Sequence, residues 1–349
     1  MALPYSYCRQ LLKPQKLVNV KHVLSTKICA ESSNLFSFWT KTRPSELYRF
    51  QRTVRNFQTR RKLEDVRPQN TGSPSLLKPL VYTVGVCGCS FVVAMVMSYE
   101  KMRKIFKDLH QGNKKEAIKT HQKTLSFREN ANSMWSQLSN GQKMVMGIIA
   151  ANIGVFVLWR IPRLQNSMMR YFTTAITHPV PSMTLSSFSH VSFLHLCVNM
   201  YVLWSFASVT VNLMGPEQFA AFYISAGTVS SFASMACNKL LRRPMVVSLG
   251  ASGAIMALIG AVCIKFPDAR LGIAFISDIF PHSFSADTGM KAILVFDIAG
   301  LLLGWRFLDH AGHLGGILFG ILYTKYGNSR IWGNRERIMR WWHDVRGKP

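Results

Sequence analysis

Long runs of uncharged, apolar residues dominate the chain and are spaced as membrane-spanning helices would be. A helix crosses the bilayer with about 20 apolar residues, within a range of about 17–25. One run, 80–99, stands alone, and the others follow in close succession: 144–159, 171–216, 218–238, 244–264, 292–305 and 310–324. The run 171–216 is longer than one span needs, so we expect it to hold a polar-rich loop and one helix. The pattern predicts an all-α polytopic membrane protein with seven spans.

The polar stretches between these runs predict how the chain is organised. We expect a basic N-terminal region over 1–75, an isolated transmembrane helix over 76–99 and a polar linker over 100–142. A compact core of six transmembrane helices is expected over 143–326, followed by a basic C-terminal tail over 327–349. The length and polarity of the linker indicate that the isolated helix is an addition to the core.

Positive charge is concentrated where a targeted membrane protein would carry it. The formal net charge is +26, a value that first suggests a nucleic-acid partner. The basic residues, however, crowd the N-terminal region and the ends of the spans, as in 101–107 and 330–346, and no nucleic-acid-binding signature accompanies them. At the span ends we expect them to influence topology and to contact lipid headgroups. A basic, acid-poor N-terminus without a long apolar segment predicts a mitochondrial transit peptide within 1–75.

A few polar residues inside or beside the apolar runs are the candidates for chemistry. Such groups are costly in a membrane and usually face the interior of a helix bundle. They are His190, His195, Asn199, Ser252 and His313. His195 and Asn199 lie four residues apart in "HVSFLHLCVN", so one helix face presents both. Ser252 alone, in "SLGASGAIMALIGAVCI", is most simply explained as a small residue that packs between membrane helices.

Glycine spacing predicts that two of the runs pack closely together. Gly316 and Gly320 are four residues apart in "DHAGHLGGILFG", and this spacing allows unusually close helix contact. Contact of these glycines with Gly253 or Gly260 would bring His313 near the serine. The serine therefore has a candidate partner, which favours a chemical role over simple packing.

Ser252 and His313 together predict a nucleophile and its base. A serine hydroxyl is a weak nucleophile until a base takes its proton, and a neutral histidine does this near physiological pH. The main-chain N–H of Ser252, the amide of Asn199 and the ring of His195 are the expected donors to the oxyanion of a tetrahedral intermediate. No acidic residue is obviously placed to orient His313. A Ser–His dyad is therefore favoured over a triad with a third orienting residue, and we expect it to work without a metal or a cofactor.

Two further polar residues near the end of the chain are expected to have lesser roles. Asp297 is the only charged residue of the run 292–305, and a local polar partner is favoured over a functional role, which stays open. His310 is expected to be a polar residue of the loop at the start of the last span.

The motifs "HVSFLHLCVN", "GASG" and "HAGHLGG", in this order within the closely spaced runs, resemble those of the rhomboid intramembrane serine proteases. The isolated first span and the transit-like leader are similar to the mitochondrial, presenilin-associated rhomboid-like type. The resemblance implies a rhomboid six-helix core plus one N-terminal transmembrane helix (1+6). By this resemblance Ser252 is the nucleophile, His313 is the base, and His195 and Asn199 line the oxyanion hole.

The same resemblance, with the glycines around the nucleophile, implies supporting roles. His190 would hold loop structure. Crowding of Gly250 and Gly253 leaves room only for a small substrate residue before the cut. Bacterial members of this family often carry an aromatic residue one turn after the serine, where it stacks on the histidine. Here Met256 stands at that place, so the histidine must be held in another way.

The implied activity is hydrolysis of peptide bonds in or near transmembrane segments of single-pass proteins of the mitochondrial inner membrane. It would serve mitochondrial protein processing and quality control, including mitophagy, apoptosis and membrane dynamics, and the N-terminus would lie in the matrix. Two other classes stay open. One is an inactive rhomboid-like protein that binds client helices, although that role needs neither Ser252 nor His313. The other is a transporter or channel. Paired intramembrane charges would favour that class, but Asp297 is the lone charge within the apolar runs.

Overall fold

A computed structural model describes residues 75–110, 138–242, 247–271 and 284–346. These residues are mostly helical, as the pattern of apolar runs predicted. The predicted transit peptide lies outside the described residues, and so does most of the predicted linker.

The helices lie at the positions of the apolar runs. In chain order they are α1 (Leu77–His110), α2 (Asn140–Leu158), α3 (Gln165–Tyr171), α4 (Ser182–Leu185), α5 (Phe193–Met214), α6 (Pro216–Leu240), α7 (Ser252–Lys265), α8 (Ala286–Leu303), α9 (His310–Leu322) and α10 (Arg335–Val345). Short 3-10 turns cover Pro162–Leu164 and Ser186–Phe188, and a π-helical segment covers Tyr323–Trp332. Strands β1 (Arg270–Leu271) and β2 (Phe284–Ser285) form an antiparallel pair before α8.

The membrane character of the fold rests on its longest helices. In the described part of the chain, 4 helices are long and apolar enough to cross a membrane, namely α1, α2, α5 and α6. Helix α7 is apolar but has 14 residues, while α8 has 18 and α9 has 13. The protein is therefore an all-α polytopic membrane protein, and the number of seven crossings stays a prediction.

Two element boundaries differ from those expected. Helix α1 continues past residue 99 to His110, so the first part of the predicted linker is helical. Contacts with α10 help to explain this, because Trp342 Nε1 donates to Glu100 Oε1 at 2.8 Å and Arg346 forms an ion pair with the same carboxylate. Helix α7 begins at Ser252, although its apolar run begins at residue 244.

Helix α6 lies at the centre of the bundle and packs against α1, α5, α7 and α9. Along α1, the hydroxyls of Ser90 and Ser225 are hydrogen-bonded at 2.9 Å, and the ring of Phe91 stacks on Tyr323 with centroids 5.1 Å apart. At its start, the Tyr82 hydroxyl is hydrogen-bonded to Thr184 of α4 at 3.1 Å. Helix α1 is therefore packed on the core, and its N-terminal end lies at the end of the bundle that holds α4.

Candidate active site

Ser252 is the first residue of α7, and the turn before it is fixed by the segment that precedes α5. The N–H of Gly250 donates to the carbonyl of Ser186 at 2.9 Å, and Thr174 forms a β-bridge with Ser248. Gly250 has φ +128°, a backbone conformation that L side chains rarely adopt. The hydroxyl thus projects from a constrained turn at the helix start, and Ser252 is only partly buried.

His313 lies in the first turn of α9 and faces this serine. Its Nε2 is 3.0 Å from Ser252 Oγ, and its side chain is 7% exposed. The two residues are 61 positions apart and come from different helices. The distance is within hydrogen-bond range for a base and the hydroxyl that it would deprotonate.

Glycine contacts between α7 and α9 bring the two side chains together. A Cβ at Gly316 would lie 2.9 Å from the carbonyl carbon of Gly253, and one at Gly320 would lie 2.8 Å from that of Ala257. A Cβ at Gly260 would lie 2.7 Å from the carbonyl oxygen of Ile317. The expected contact of Gly316 with Gly253 is present, whereas Gly320 packs on Ala257 and not on a glycine.

Polar contacts fix the first turn of α9. The Asp309 carboxylate caps the helix by accepting from the Gly312 N–H at 3.0 Å, and it also accepts from the Ser234 hydroxyl at 2.8 Å. The Ser248 hydroxyl donates to the other carboxylate oxygen, and the Ser230 hydroxyl donates to the Gly312 carbonyl at 2.7 Å. Sequence reasoning missed these residues, although a residue such as Asp directly before a helical run is a recognised N-cap signal.

His190 connects the start of α7 with α5. Its Nε2 accepts from the Ala251 N–H at 3.4 Å and from the Asn199 amide at 3.0 Å. Burial, together with the nearby His195 ring, lowers the pKa of His190 to about 3. The ring is therefore neutral at physiological pH, and the proton is on Nδ1 because both neighbours donate to Nε2. The loop before α5 is thus bonded directly to the backbone beside Ser252.

The two predicted oxyanion-hole side chains lie on the same side of this turn. The His195 ring packs on Gly250, where a Cβ would lie 2.9 Å from its Cε1, and its centroid is 4.9 Å from that of His190. The Asn199 amide donates one N–H to His190 and retains a second N–H. The structure therefore gathers His190, His195 and Asn199 around the residues next to Ser252.

Asp297 and His310 differ from the sequence expectation. The Asp297 carboxylate oxygen Oδ1 lies 3.3 Å from His313 Nδ1 and 2.7 Å from His310 Nδ1. No acidic partner of His313 was evident from the sequence, but packing of α8 on α9 brings the Asp297 carboxylate within hydrogen-bond distance of both rings, so its partners lie on another helix. His310 lies at the helix start as expected, but it is the first residue of α9 and is 3% exposed, so it is a buried helical residue and not a loop residue.

The arrangement is suited to acyl transfer. A hydroxyl at a helix start faces an imidazole nitrogen at 3.0 Å, and the other nitrogen of that ring faces a carboxylate. His190 and His195 contact the two residues that precede the serine. Among the described residues, no cluster of His, Cys, Asp and Glu could hold a metal ion.

Comparison with known proteins defines the class. Residues 165–330 match the rhomboid domain. Over 276 residues the chain is 48% identical to the human presenilin-associated rhomboid-like protein, mitochondrial, covering 78% of this chain and 72% of the human protein. It is 37% identical over 378 residues to the zebrafish presenilin-associated rhomboid-like protein A, mitochondrial, covering 96% of each. It is 31% identical over 202 residues to Rhomboid protein 1, mitochondrial, of Saccharomyces cerevisiae, covering 57% of each.

The chain therefore belongs to the rhomboid family, whose members are generally intramembrane serine proteases. Within the family it groups with the mitochondrial presenilin-associated rhomboid-like proteins. The resemblance that the three motifs indicated is thereby confirmed.

Proposed function

We propose that the protein is an intramembrane serine endopeptidase of the mitochondrial inner membrane that cleaves transmembrane segments of single-pass proteins. The observation that carries the proposal is the distance of 3.0 Å between His313 Nε2 and Ser252 Oγ, at the start of two closely packed helices. A packing serine needs no buried imidazole at its hydroxyl, and a role in binding client helices would need neither group.

The first half of the proposed reaction forms an acyl-enzyme. Ser252 Oγ attacks the scissile carbonyl carbon while its proton passes to His313 Nε2. The tetrahedral intermediate then collapses, the C–N bond breaks, and the imidazolium gives its proton to the leaving amine. One peptide bond is exchanged for an ester to Ser252, and the C-terminal fragment leaves.

The second half regenerates the enzyme. Water attacks the ester carbonyl while His313 again accepts a proton, and collapse of the second intermediate returns that proton to Ser252 Oγ. The N-terminal fragment leaves with a new carboxylate. The proton transfers use the Ser252 Oγ and His313 Nε2 pair, whose atoms are 3.0 Å apart, and the steps involve no redox change.

Negative charge on both intermediates would be stabilised by N–H groups on one side of Ser252. The candidates are the main-chain N–H of Ser252, the second N–H of the Asn199 amide and the His195 ring. Fixed donors of this kind are typically worth about 10²–10³ in turnover each. Attachment of Asn199 to the neutral His190 ring supports this role, because the amide is held in place before substrate binds.

Substrate helices must unwind before their carbonyls become reachable. In lipid a helix keeps its carbonyls in internal hydrogen bonds, so segments weakened by Gly or Pro should be favoured. The close packing at Gly250 and Gly253 favours a small residue before the cut.

The contacts of α1 relate the orientation of the N-terminus to that of the site. Tyr82, near the start of α1, is hydrogen-bonded to α4, and Ser186, directly after α4, is hydrogen-bonded to Gly250. A matrix N-terminus would therefore place the Ser252 end of the bundle toward the matrix.

The proposal is tested by incubating the purified protein with a tagged single-pass substrate. Wild type should produce two fragments, and Ser252→Ala should produce none above background. Ser205→Ala is the matched control, because Ser205 is exposed on α5 and donates only to the carbonyl of Tyr201 one turn back at 2.9 Å. Cleavage by pure Ser252→Ala at a rate near wild type would contradict a serine protease. A wild type that binds the substrate without cutting it would favour a client-binding protein.

A further inference from the structure

Asp297 is an ionisable residue buried within the apolar part of α8 that follows Lys291. It is 1% exposed, while Val295 and Leu302 on the same helix are 67% and 79% exposed. A carboxylate within a membrane helix is costly unless it is paired, and such residues usually have a functional reason to be there. Asp297 therefore calls for an explanation beyond packing.

The partners of Asp297 are two histidine nitrogens that face the same oxygen. Oδ1 lies 2.7 Å from His310 Nδ1 and 3.3 Å from His313 Nδ1. An ionised carboxylate oxygen carries lone pairs and no proton, so it can accept from both rings at once. This arrangement places the proton of each neutral ring on Nδ1 and leaves the Nε2 lone pair of His313 directed at Ser252.

We propose that Asp297 and His310 form a positioning pair that holds His313 in the tautomer and orientation needed to deprotonate Ser252. The inference rests on the proposed function and deepens it, because it makes the catalytic machinery more than a dyad. Asp297 and His310 touch neither substrate nor the reacting atoms, so both act through His313.

The proton balance of the step is simple. When Ser252 Oγ attacks, its proton moves to His313 Nε2, and the ring becomes an imidazolium that still donates from Nδ1 to Asp297. The carboxylate stays ionised and offsets the new positive charge, as an orienting carboxylate does in serine hydrolases. The proton later leaves from Nε2, so the Asp297 contact is never broken during turnover.

His310 is held in place by its own surroundings. Its ring lies against α8 where Gly300 has no side chain, since a Cβ there would be 2.7 Å from the ring Cδ2. Phe296, Trp305 and Phe307 surround it, with ring centroids at 5.5, 6.0 and 5.5 Å. The enclosed His310 ring holds its hydrogen bond to Asp297 in one place. It therefore restricts rotation of the Asp297 carboxylate.

The residue one turn after Ser252 is Met256, so no aromatic ring holds His313 from that position. A carboxylate at Nδ1 restrains the ring by a hydrogen bond instead.

The test compares Asp297→Asn with wild type in detergent-purified protein. The amide carries no negative charge to offset the imidazolium, and in its flipped orientation it turns N–H groups toward the rings, so that His313 would carry its proton on Nε2, facing Ser252. We expect kcat to fall by about 10²–10⁴-fold with KM within about threefold of wild type. The rate at which a fluorophosphonate labels Ser252 should fall by a similar factor. Adding Asp297→Asn to His313→Ala should lower the rate little further.

His310 provides a second pair of variants that separates hydrogen bonding from packing. His310→Asn keeps an N–H donor near the position of Nδ1, and His310→Phe keeps a ring and loses the donor. If the hydrogen bond matters, the Asn variant retains more turnover per folded molecule than the Phe variant. The opposite order would remove His310 from the proposal.

The outcomes distinguish this inference from the function on which it rests. Active wild type together with equally active Asp297→Asn would overturn the inference alone. The inference would also be overturned if the activity of Asp297→Asn fell only in proportion to the loss of folded protein, or if KM rose while kcat stayed unchanged. A wild type that neither cleaves substrate nor reacts at Ser252 would contradict the proposed function, and the inference would fall with it.

Discussion

The close approach of α7 and α9 makes Gly316→Ala the most informative packing variant. A methyl group at this position would lie 2.9 Å from the carbonyl carbon of Gly253 and closer still to its oxygen. Carbon atoms in ordinary contact are about 3.5–4.0 Å apart. The obstacle is backbone and not a flexible side chain, so the two helices would have to separate by about 1 Å.

Such a separation acts directly on the site. His313 lies one turn before Gly316, and its Nε2 is 3.0 Å from Ser252 Oγ, so a shift of about 1 Å takes the pair out of hydrogen-bond range. Misplacement by about 1 Å can lower a rate by about 10²-fold. Overpacking of this kind also destabilises a fold by about 1–3 kcal/mol. We therefore expect Gly316→Ala to lose about 10²-fold in turnover while a large fraction stays folded.

The assay measures substrate cleavage per folded molecule, with the folded fraction taken from thermal unfolding in the same detergent. Gly154→Ala on α2 is the matched control, because nothing lies within 4 Å of a Cβ built there. It should leave turnover unchanged and should not lower the unfolding temperature, since alanine is a better helix former than glycine. Gly316→Ala with turnover within a factor of about two of wild type would refute the claim that this contact sets the distance between His313 and Ser252.

Three further predictions concern other parts of the site. Asn199→Ala should lower turnover by about 10²–10³-fold while binding of uncleaved substrate, measured on Ser252→Ala protein, changes little; an equal loss of binding would place Asn199 in substrate docking. Because the pKa of His190 is lowered in the folded protein, this histidine binds a proton in the unfolded state first as the pH falls below about 6.5. The contribution of His190 to the free energy of unfolding is therefore complete above that pH and is lost progressively toward about pH 3. At about pH 5 the free energy of unfolding of wild type, measured by chemical denaturation, should be about 2 kcal/mol lower than at neutral pH. An equal decrease in His190→Gln would show that another group is responsible. Replacing the helix-weakening residues of a cleaved substrate by Leu should slow cleavage in bilayers, and unchanged cleavage there would show that unwinding is not required.

The sequence was informative wherever the chemistry depends on local spacing. His195 and Asn199 share a helix face because they are four residues apart. A long apolar run predicts a membrane-spanning helix by its length and composition. The contact between Gly316 and Gly253 was also predictable, since few residues other than glycine allow two helices so close.

What escaped prediction depends on how helices pack against each other. Asp297 and His313 are 16 residues apart on two helices, and no periodicity indicates that one carboxylate faces two rings. The only signal was Asp297 itself, a charge in an apolar run. Gly320 was expected to face a glycine and instead packs on Ala257, because spacing within one helix does not fix its register against another.

The central claim is that Ser252 is a nucleophile activated by His313. Its most direct test is mass spectrometry of the purified protein after reaction with a fluorophosphonate. We expect a single phosphonyl adduct on the peptide that contains Ser252, formed by wild type and absent or strongly slowed in His313→Ala. An adduct at another serine, or labelling of Ser252 at the same rate without His313, would contradict it.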